Sequence, residues 1–295
     1  MDFQALHLIE LDWIRALHEL RTPLFDALIK PFDFFDRQEF YFILLPIVWF
    51  GAGWRWGLRV FYLLFLNVFI NYSLKLFFAE PRPFQVDPDL GIIQVGSFGF
   101  PSGAAQSVIL LSALLLSWRK GWVAWMIAGA YVASVSFSRV YLGVHFPTDI
   151  FGGWIVGLGI WGLFAYFQPK LERAFEKLKP WMLLIIGQII PLAFLAAVPG
   201  PTIIRMGALG MGIGLGLWLK SPQALPNNAL KKVGQVMLAI LTAFCFYELG
   251  KRIVFESELL TLVVRYYLLG IWVSAGMSFL CGVLFPERET TQETA

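Results

Sequence analysis

Charge is what this sequence has least of. Of 295 residues only 15% are Asp, Glu, Lys or Arg, while 58% are hydrophobic and 17% aromatic. Water-soluble domains carry about 25% charge, so a soluble globular class is excluded. Cysteine is limited to Cys245 and Cys281, both inside apolar runs, which reads as packing and argues against a disulfide or a thiolate metal site. No other metal cluster stands out, because Asp87 and Asp89 near Glu80 lie in a proline-rich polar loop and read as solvated residues. A formal charge of +3, with no basic run interleaved with aromatics, excludes a nucleic-acid partner. The basic n-region and small-residue cleavage site of a signal peptide are also missing, so the first residues are expected to persist.

What is present in quantity is apolar sequence of membrane length. A span needs roughly 20 mostly apolar residues, and such runs recur near residues 39 to 54, 57 to 78, 102 to 118, 121 to 138, 148 to 167, 181 to 199, 203 to 219, 233 to 249 and 260 to 285. The expected fold is all-α, a polytopic transmembrane bundle of about nine spans. Before it, Leu6, Ile9, Trp13, Leu17, Leu20, Leu24 and Leu28 recur every three or four residues, which predicts an amphipathic helix lying on the membrane surface. The chain is thus expected to divide into an amphipathic segment (1–38), a core bundle (39–167) and additional C-terminal helices (181–285).

Sidedness follows from the cations of the short loops. Arg55, Arg59, Arg119, Lys120, Lys170, Arg173, Lys177, Lys179, Lys220, Lys231 and Lys232 fall on one face, which is expected to be cytoplasmic. The glycine run Gly207, Gly210, Gly212, Gly214 and Gly216 follows no strand and lacks dinucleotide spacing, so it predicts close helix packing. Glu248 and Arg265, ionisable at or inside spans, are candidates for function by location alone.

Three short segments converge on the face opposite the cationic loops. The first reads KLFFAEPRP, with Lys75 and Arg82 and with Pro81 and Pro83 bracketing the arginine; the prolines stop the helix and stiffen the turn. The second, Pro101, Ser102, Gly103 and Ala104, sets a hydroxyl and free backbone N–H groups at a helix start, where anions bind. The third holds Ser138, Arg139, His145 and Asp149, the last two spaced to share one side of a helical turn. Each feature alone has a structural explanation. Three cations, a helix N-terminus and a His/Asp pair together are what phosphoryl chemistry requires, because positioning and charge stabilisation dominate it.

These segments resemble the three-part signature of the type 2 phosphatidic acid phosphatase superfamily, the lipid phosphate phosphatases. The resemblance runs from roughly residue 40 to 167, and the first and third segments agree at every signature position. It implies a phosphatase without metal or other cofactor, in which His145 attacks phosphorus to form a phosphohistidine and Asp149 orients the imidazole. Lys75, Arg82 and Arg139 would bind phosphoryl oxygens, with Ser102, Gly103 and Ser138 completing the cradle. The second segment departs from the family, which has histidine where this chain has Ala104. That imidazole protonates the leaving oxygen, and such an acid contributes roughly 10² to 10⁴ in rate, about 3–5 kcal/mol. Because every other signature residue remains, an engineered inactivating substitution explains the alanine better than a drifted pseudoenzyme.

The expected substrate is a lipid phosphate or isoprenyl diphosphate, handled on the periplasmic or lumenal face of a bacterial inner membrane or the endoplasmic reticulum. A lipid phosphotransferase using the same site and a non-catalytic lipid-phosphate binding or transport protein are the alternatives. A homodimer is compatible with the sequence. The four spans after residue 180 are similar in number to those of the sphingosine phosphate phosphatase and glucose 6-phosphatase branches.

Overall fold

The computed structural model describes residues 3–198, 200–222 and 225–285. Among these every regular element is helical, as the apolar runs require of a backbone that must satisfy its own hydrogen bonds in lipid. Among the described residues seven helices are long and apolar enough to cross a membrane. The remaining two expected spans form the shorter apolar helices α3 (Gln38–Gly51) and α6 (Gly103–Trp118).

The chain forms two compact units whose limits differ from the sequence-based division. Among the described residues, one contains those up to Phe40 together with Leu66–Leu171, and the other contains Tyr41–Phe65 and those from Glu172 to Phe285. The amphipathic segment therefore belongs with the core bundle.

That segment is not one helix. It forms α1 (Phe3–Glu19), α2 (Pro23–Ile29) and a 3-10 turn (Lys30–Asp36). The break falls where Thr22 N-caps α2, its hydroxyl oxygen accepting from Phe25 N–H, and Pro23 follows at the first helical position. A proline there fits only a helix start, and the periodicity that continues through it hid the break. Nor does α1 lie free. Ile9, Trp13, Leu20, Leu24 and Leu28 are exposed, but His7, Glu10, Leu11 and Ile14 are buried against the rest of the unit.

The first unit also contains the end of α4 (Trp54–Phe78), the short α5 (Pro83–Val86), α6, α7 (Trp122–Tyr141) and most of α8 (Pro147–Phe175). Polar side chains tie α4 to α6: Asn67 Nδ2 donates to Ser107 Oγ at 3.0 Å, and Asn71 Nδ2 donates to Pro101 O and Gln106 Oε1. Glycines let α8 lie against α6. A Cβ added at Gly153 would come within 2.6 Å of Ser102 O, and one at Gly157 within 3.0 Å of Gln106 O.

The second unit contains α9 (Pro180–Ala197), α10 (Pro201–Leu219), α11 (Ala229–Gly250) and the run α12 (Glu258–Ile271), a π-helical stretch (Trp272–Gly276) and α13 (Met277–Leu284). Here the glycine run packs as expected. An added Cβ at Gly212 would overlap the Tyr267 carbonyl oxygen, and one at Gly216 the Ser274 hydroxyl. Glu248 pairs with Lys251 at 2.7 Å, and Arg265 donates to the carbonyls of Ile253 and Lys251. These contacts tie down the end of α11, a structural role for both candidates. Both cysteines are free, with Cys281 buried in the core of this unit.

Candidate active site

Lys75, Arg82, Ser102, Ser138, Arg139, His145 and Asp149 all lie in the first unit and are all buried. Each is placed by an element end. Lys75 sits in the last turn of α4, where its ammonium donates to the carbonyls of Phe98 and Gly99. Gly99 is required there by close approach, since a Cβ would meet Pro81 O at 2.6 Å and Asp149 Oδ2 at 3.2 Å.

Arg82 precedes α5 and is held on three sides. Its Nε donates to Ser97 O at 2.6 Å, Nη2 to Ser97 Oγ at 2.9 Å and Nη1 to Val144 O at 2.6 Å. The loop around it is fastened to the turn after α7: Phe84 N–H donates to Gly143 O and Ile92 N–H to Leu142 O. Gly143 takes a φ of +70°, a conformation glycine adopts freely, and an added Cβ would overlap Leu90 O.

His145 and Asp149 bracket the start of α8. His145 Nδ1 lies 3.0 Å from Asp149 Oδ2, which also accepts from Phe146 N–H at 2.9 Å. Arg82 Nη1 lies 3.2 Å from His145 Nε2. A guanidinium can only donate, so Nε2 is the acceptor and carries the lone pair, while Nδ1 carries the proton given to Asp149. Burial first, then the charges of Arg82, Lys75 and Arg139, push the His145 pKa well below its ordinary value. The imidazole is therefore neutral at neutral pH, the state a nucleophile needs.

Arg139 is 1% exposed at the end of α7. Its Nη1 donates to Asp33 Oδ1 at 2.9 Å, with Asp36 at 3.6 Å, and its Nη2 is buried without a partner among the described residues. Ser138 Oγ donates to Val135 O and accepts from Arg139 Nε, so this hydroxyl steadies the guanidinium. Ser102 N-caps α6, accepting from Ala105 N–H, and its own N–H donates to Asp149 O at 2.9 Å. Gly103 leaves room for Asn71, whose Oδ1 would lie 3.0 Å from an added Cβ.

Ala104 is buried in an apolar cluster with Val108 and Val135, against which Phe32, Phe35, Tyr131 and Val132 pack. Aromatic residues of the N-terminal segment thus pack against the cluster that holds Ala104, the position where a histidine is expected. Asp87, read as a solvated loop residue, pairs with Arg15 at 2.7 Å. No group of three His, Cys, Asp or Glu side chains suited to a metal occurs among the described residues.

Sequence reasoning missed Asn71, Ser97, Glu10 and Asp33. Asn71 was discoverable, since Asn67, Asn71 and Lys75 recur at four-residue intervals along one face of an apolar helix. The others act across long sequence separations and carry no local signal.

Residues 56–173 match the family described as the PAP2 superfamily. The chain is 33% identical over 174 residues to phosphatidylglycerophosphatase B of Bacillus subtilis, covering 54% of this chain and 82% of that protein. It is 29% identical over 109 residues to an undecaprenyl-diphosphatase of Sulfolobus acidocaldarius, covering 37% of this chain and 46% of that protein. Among solved structures it is similar to a transmembrane PAP2 type phosphatidylglycerolphosphate phosphatase from Bacillus subtilis, at 25% identity and a TM-score of 0.48 over 56% of this chain and 87% of that one.

Proposed function

The chain belongs to the PAP2 superfamily, and on that premise we propose that it is an integral membrane phosphatase acting on a lipid phosphate or isoprenyl diphosphate through a phosphohistidine at His145. The observation that carries the reading is the setting of the imidazole, with Nδ1–H on Asp149 and the Nε2 lone pair directed at Arg82. When a phosphoryl group enters, Arg82 Nη1 turns its proton to a phosphoryl oxygen and frees that lone pair. Nε2 then bonds to phosphorus as the bond to the leaving oxygen breaks, and Asp149 stabilises the imidazolium character that develops. Lys75, Arg82 and Arg139 spread three positive charges over the phosphoryl oxygens. Water attack on the phosphohistidine releases phosphate and returns the lone pair to Nε2.

Ala104 cannot supply a proton to the leaving oxygen. Alkoxide departure is accordingly slowed by roughly 10² to 10⁴, and a diphosphate, whose leaving group is itself a phosphate, suffers less. The chain as it stands is read as catalytically impaired on monoesters, with its anion clamp retained. The concentration of loop cations opposite the site favours a periplasmic or lumenal active face.

The test is to offer the purified protein an aryl phosphate, whose leaving group departs without a proton, and to look for phosphate on His145 by mass spectrometry. A trapped phosphohistidine, absent in His145→Ala, is expected. Labelled acceptor lipid in place of free phosphate would make the protein a phosphotransferase. Binding of vanadate with no phosphoenzyme from any donor would leave a lipid-phosphate binding or transport role.

A further inference from the structure

Helix α1 lies outside the residues that match the family, yet it grips the turn carrying the nucleophile. Glu10 is 1% exposed. One of its carboxylate oxygens accepts from the Thr148 backbone N–H at 2.7 Å and the other from the Thr148 hydroxyl at 2.8 Å. One turn earlier in α1, His7 stacks face to face on Phe146, with ring centroids 4.0 Å apart and planes inclined by 6°. On the same side, Leu11 and Ile14 pack with Phe146 and Leu90. Phe146 and Thr148 lie between His145 and Asp149 on either side of Pro147, so α1 holds two of the three positions in that stretch that the chemistry does not use.

Packing alone does not call for a carboxylate here. Burying one has a desolvation cost that only specific partners offset, and an apolar residue would fill the same space. What the carboxylate adds is direction: it fixes the first N–H and the first side-chain donor of α8 at once, at the helix end where negative charge is favoured. The first turn of α8 carries Asp149, and Asp149 orients His145.

We infer that Glu10 is a positioning residue for phosphoryl transfer, acting through Thr148 to set the His145–Asp149 pair against the bound phosphoryl group. The inference rests on the phosphohistidine reading above. A displacement of about 1 Å at such a site costs on the order of 10² in rate, whereas Lys75, Arg82 and Arg139, the proposed anion ligands, share no hydrogen bond or ion pair with Glu10 among the described residues. Loss of Glu10 therefore slows the chemical step and spares binding.

The experiment compares the parent chain, Glu10→Gln, Thr148→Val, Thr148→Ser and the Glu10→Gln/Thr148→Val double variant. For each, vanadate affinity and the rate of His145 phosphorylation by 4-nitrophenyl phosphate are measured. Glu10→Gln is expected to phosphorylate at least about tenfold more slowly with vanadate affinity within about threefold of the parent. Thr148→Val should be slow as well, Thr148→Ser close to the parent, and the double variant no slower than the slower single one, because both lesions break one linkage. Parental phosphorylation rates in Glu10→Gln, a parallel loss of vanadate affinity, or additive effects in the double variant would overturn the positioning role. A parent chain that binds vanadate but never phosphorylates His145 removes the phosphohistidine reading, and this inference with it.

Discussion

Arg139 Nη1 donates to Asp33 Oδ1 at 2.9 Å, across 106 residues of chain. The arginine is buried and Asp33 nearly so, so the pair neutralises a charge that, in the proposed clamp, is needed only when an anion is present. Removing one partner of a buried pair typically costs about 3–5 kcal/mol. Asp33→Asn is therefore expected to lower stability on that scale in detergent unfolding. Orthovanadate should restore more stability in the variant than in the parent, because the bound anion re-partners Arg139. Equal stability with and without Asp33 would refute the counter-ion role.

The proton on His145 is placed by its neighbours. With the pKa pushed below its ordinary value by burial and by Arg82, Lys75 and Arg139, the neutral form persists as pH falls through 6.5, where an unfolded histidine half-protonates. Nitrogen NMR of labelled protein at pH 6 is expected to report a neutral ring protonated at Nδ1. An imidazolium at that pH would contradict the assigned roles of Asp149 and Arg82.

Placing a proton donor at position 104 brings a packing cost. Phe32, Phe35 and Tyr131 belong to the cluster around Ala104, and enlarging a packed side chain costs about 1–3 kcal/mol. Ala104→His is expected to be less stable by that amount, yet to raise phosphate release from alkyl monoesters by at least roughly 10². Adding His145→Ala should abolish the gain, and a chelator should not. Failure to gain activity in Ala104→His, and also in a Phe35→Ala/Ala104→His variant that makes room, would mean that position 104 is not where the acid belongs.

In the second unit, α10 and α12 approach at Gly212 and Gly270, and a Cβ at Gly212 would overlap the Tyr267 carbonyl oxygen. Backbone cannot swing aside as a side chain can, so Gly212→Ala is expected to cost at least about 1–3 kcal/mol. Gly129→Ala, where an added Cβ meets nothing within 4 Å, should be neutral or stabilising. Similar melting temperatures for the two variants would argue against this packing.

Sidedness is open to direct labelling. Asp89, in the loop that carries the first signature segment, and Lys120, between α6 and α7, are both exposed. Single cysteines at these positions in a Cys245→Ser/Cys281→Ser background are expected to react with an impermeant maleimide from opposite sides of the membrane, Asp89→Cys from outside. Val144 is buried and makes a poor reporter. Labelling of both positions from one side would end the topology.

By itself the sequence determined the solvent of this protein and the candidate residues of its site. Apolar runs, proline and glycine punctuation, and cations stranded at helix ends are local signals. They sufficed for the membrane class, for the helices after the N-terminal segment, and for the candidate set Lys75, Arg82, Arg139, His145 and Asp149 that the first unit brings together. Tertiary structure alone decided what holds those groups in place. Glu10 reaches Thr148 across 138 residues and Asp33 reaches Arg139 across 106, while Phe32 and Phe35 pack against the cluster that holds Ala104. In the sequence these residues belong to an amphipathic stretch whose polar side reads as facing water. A carboxylate's partner depends on which helix face is buried against it, and that is settled only when the helices pack.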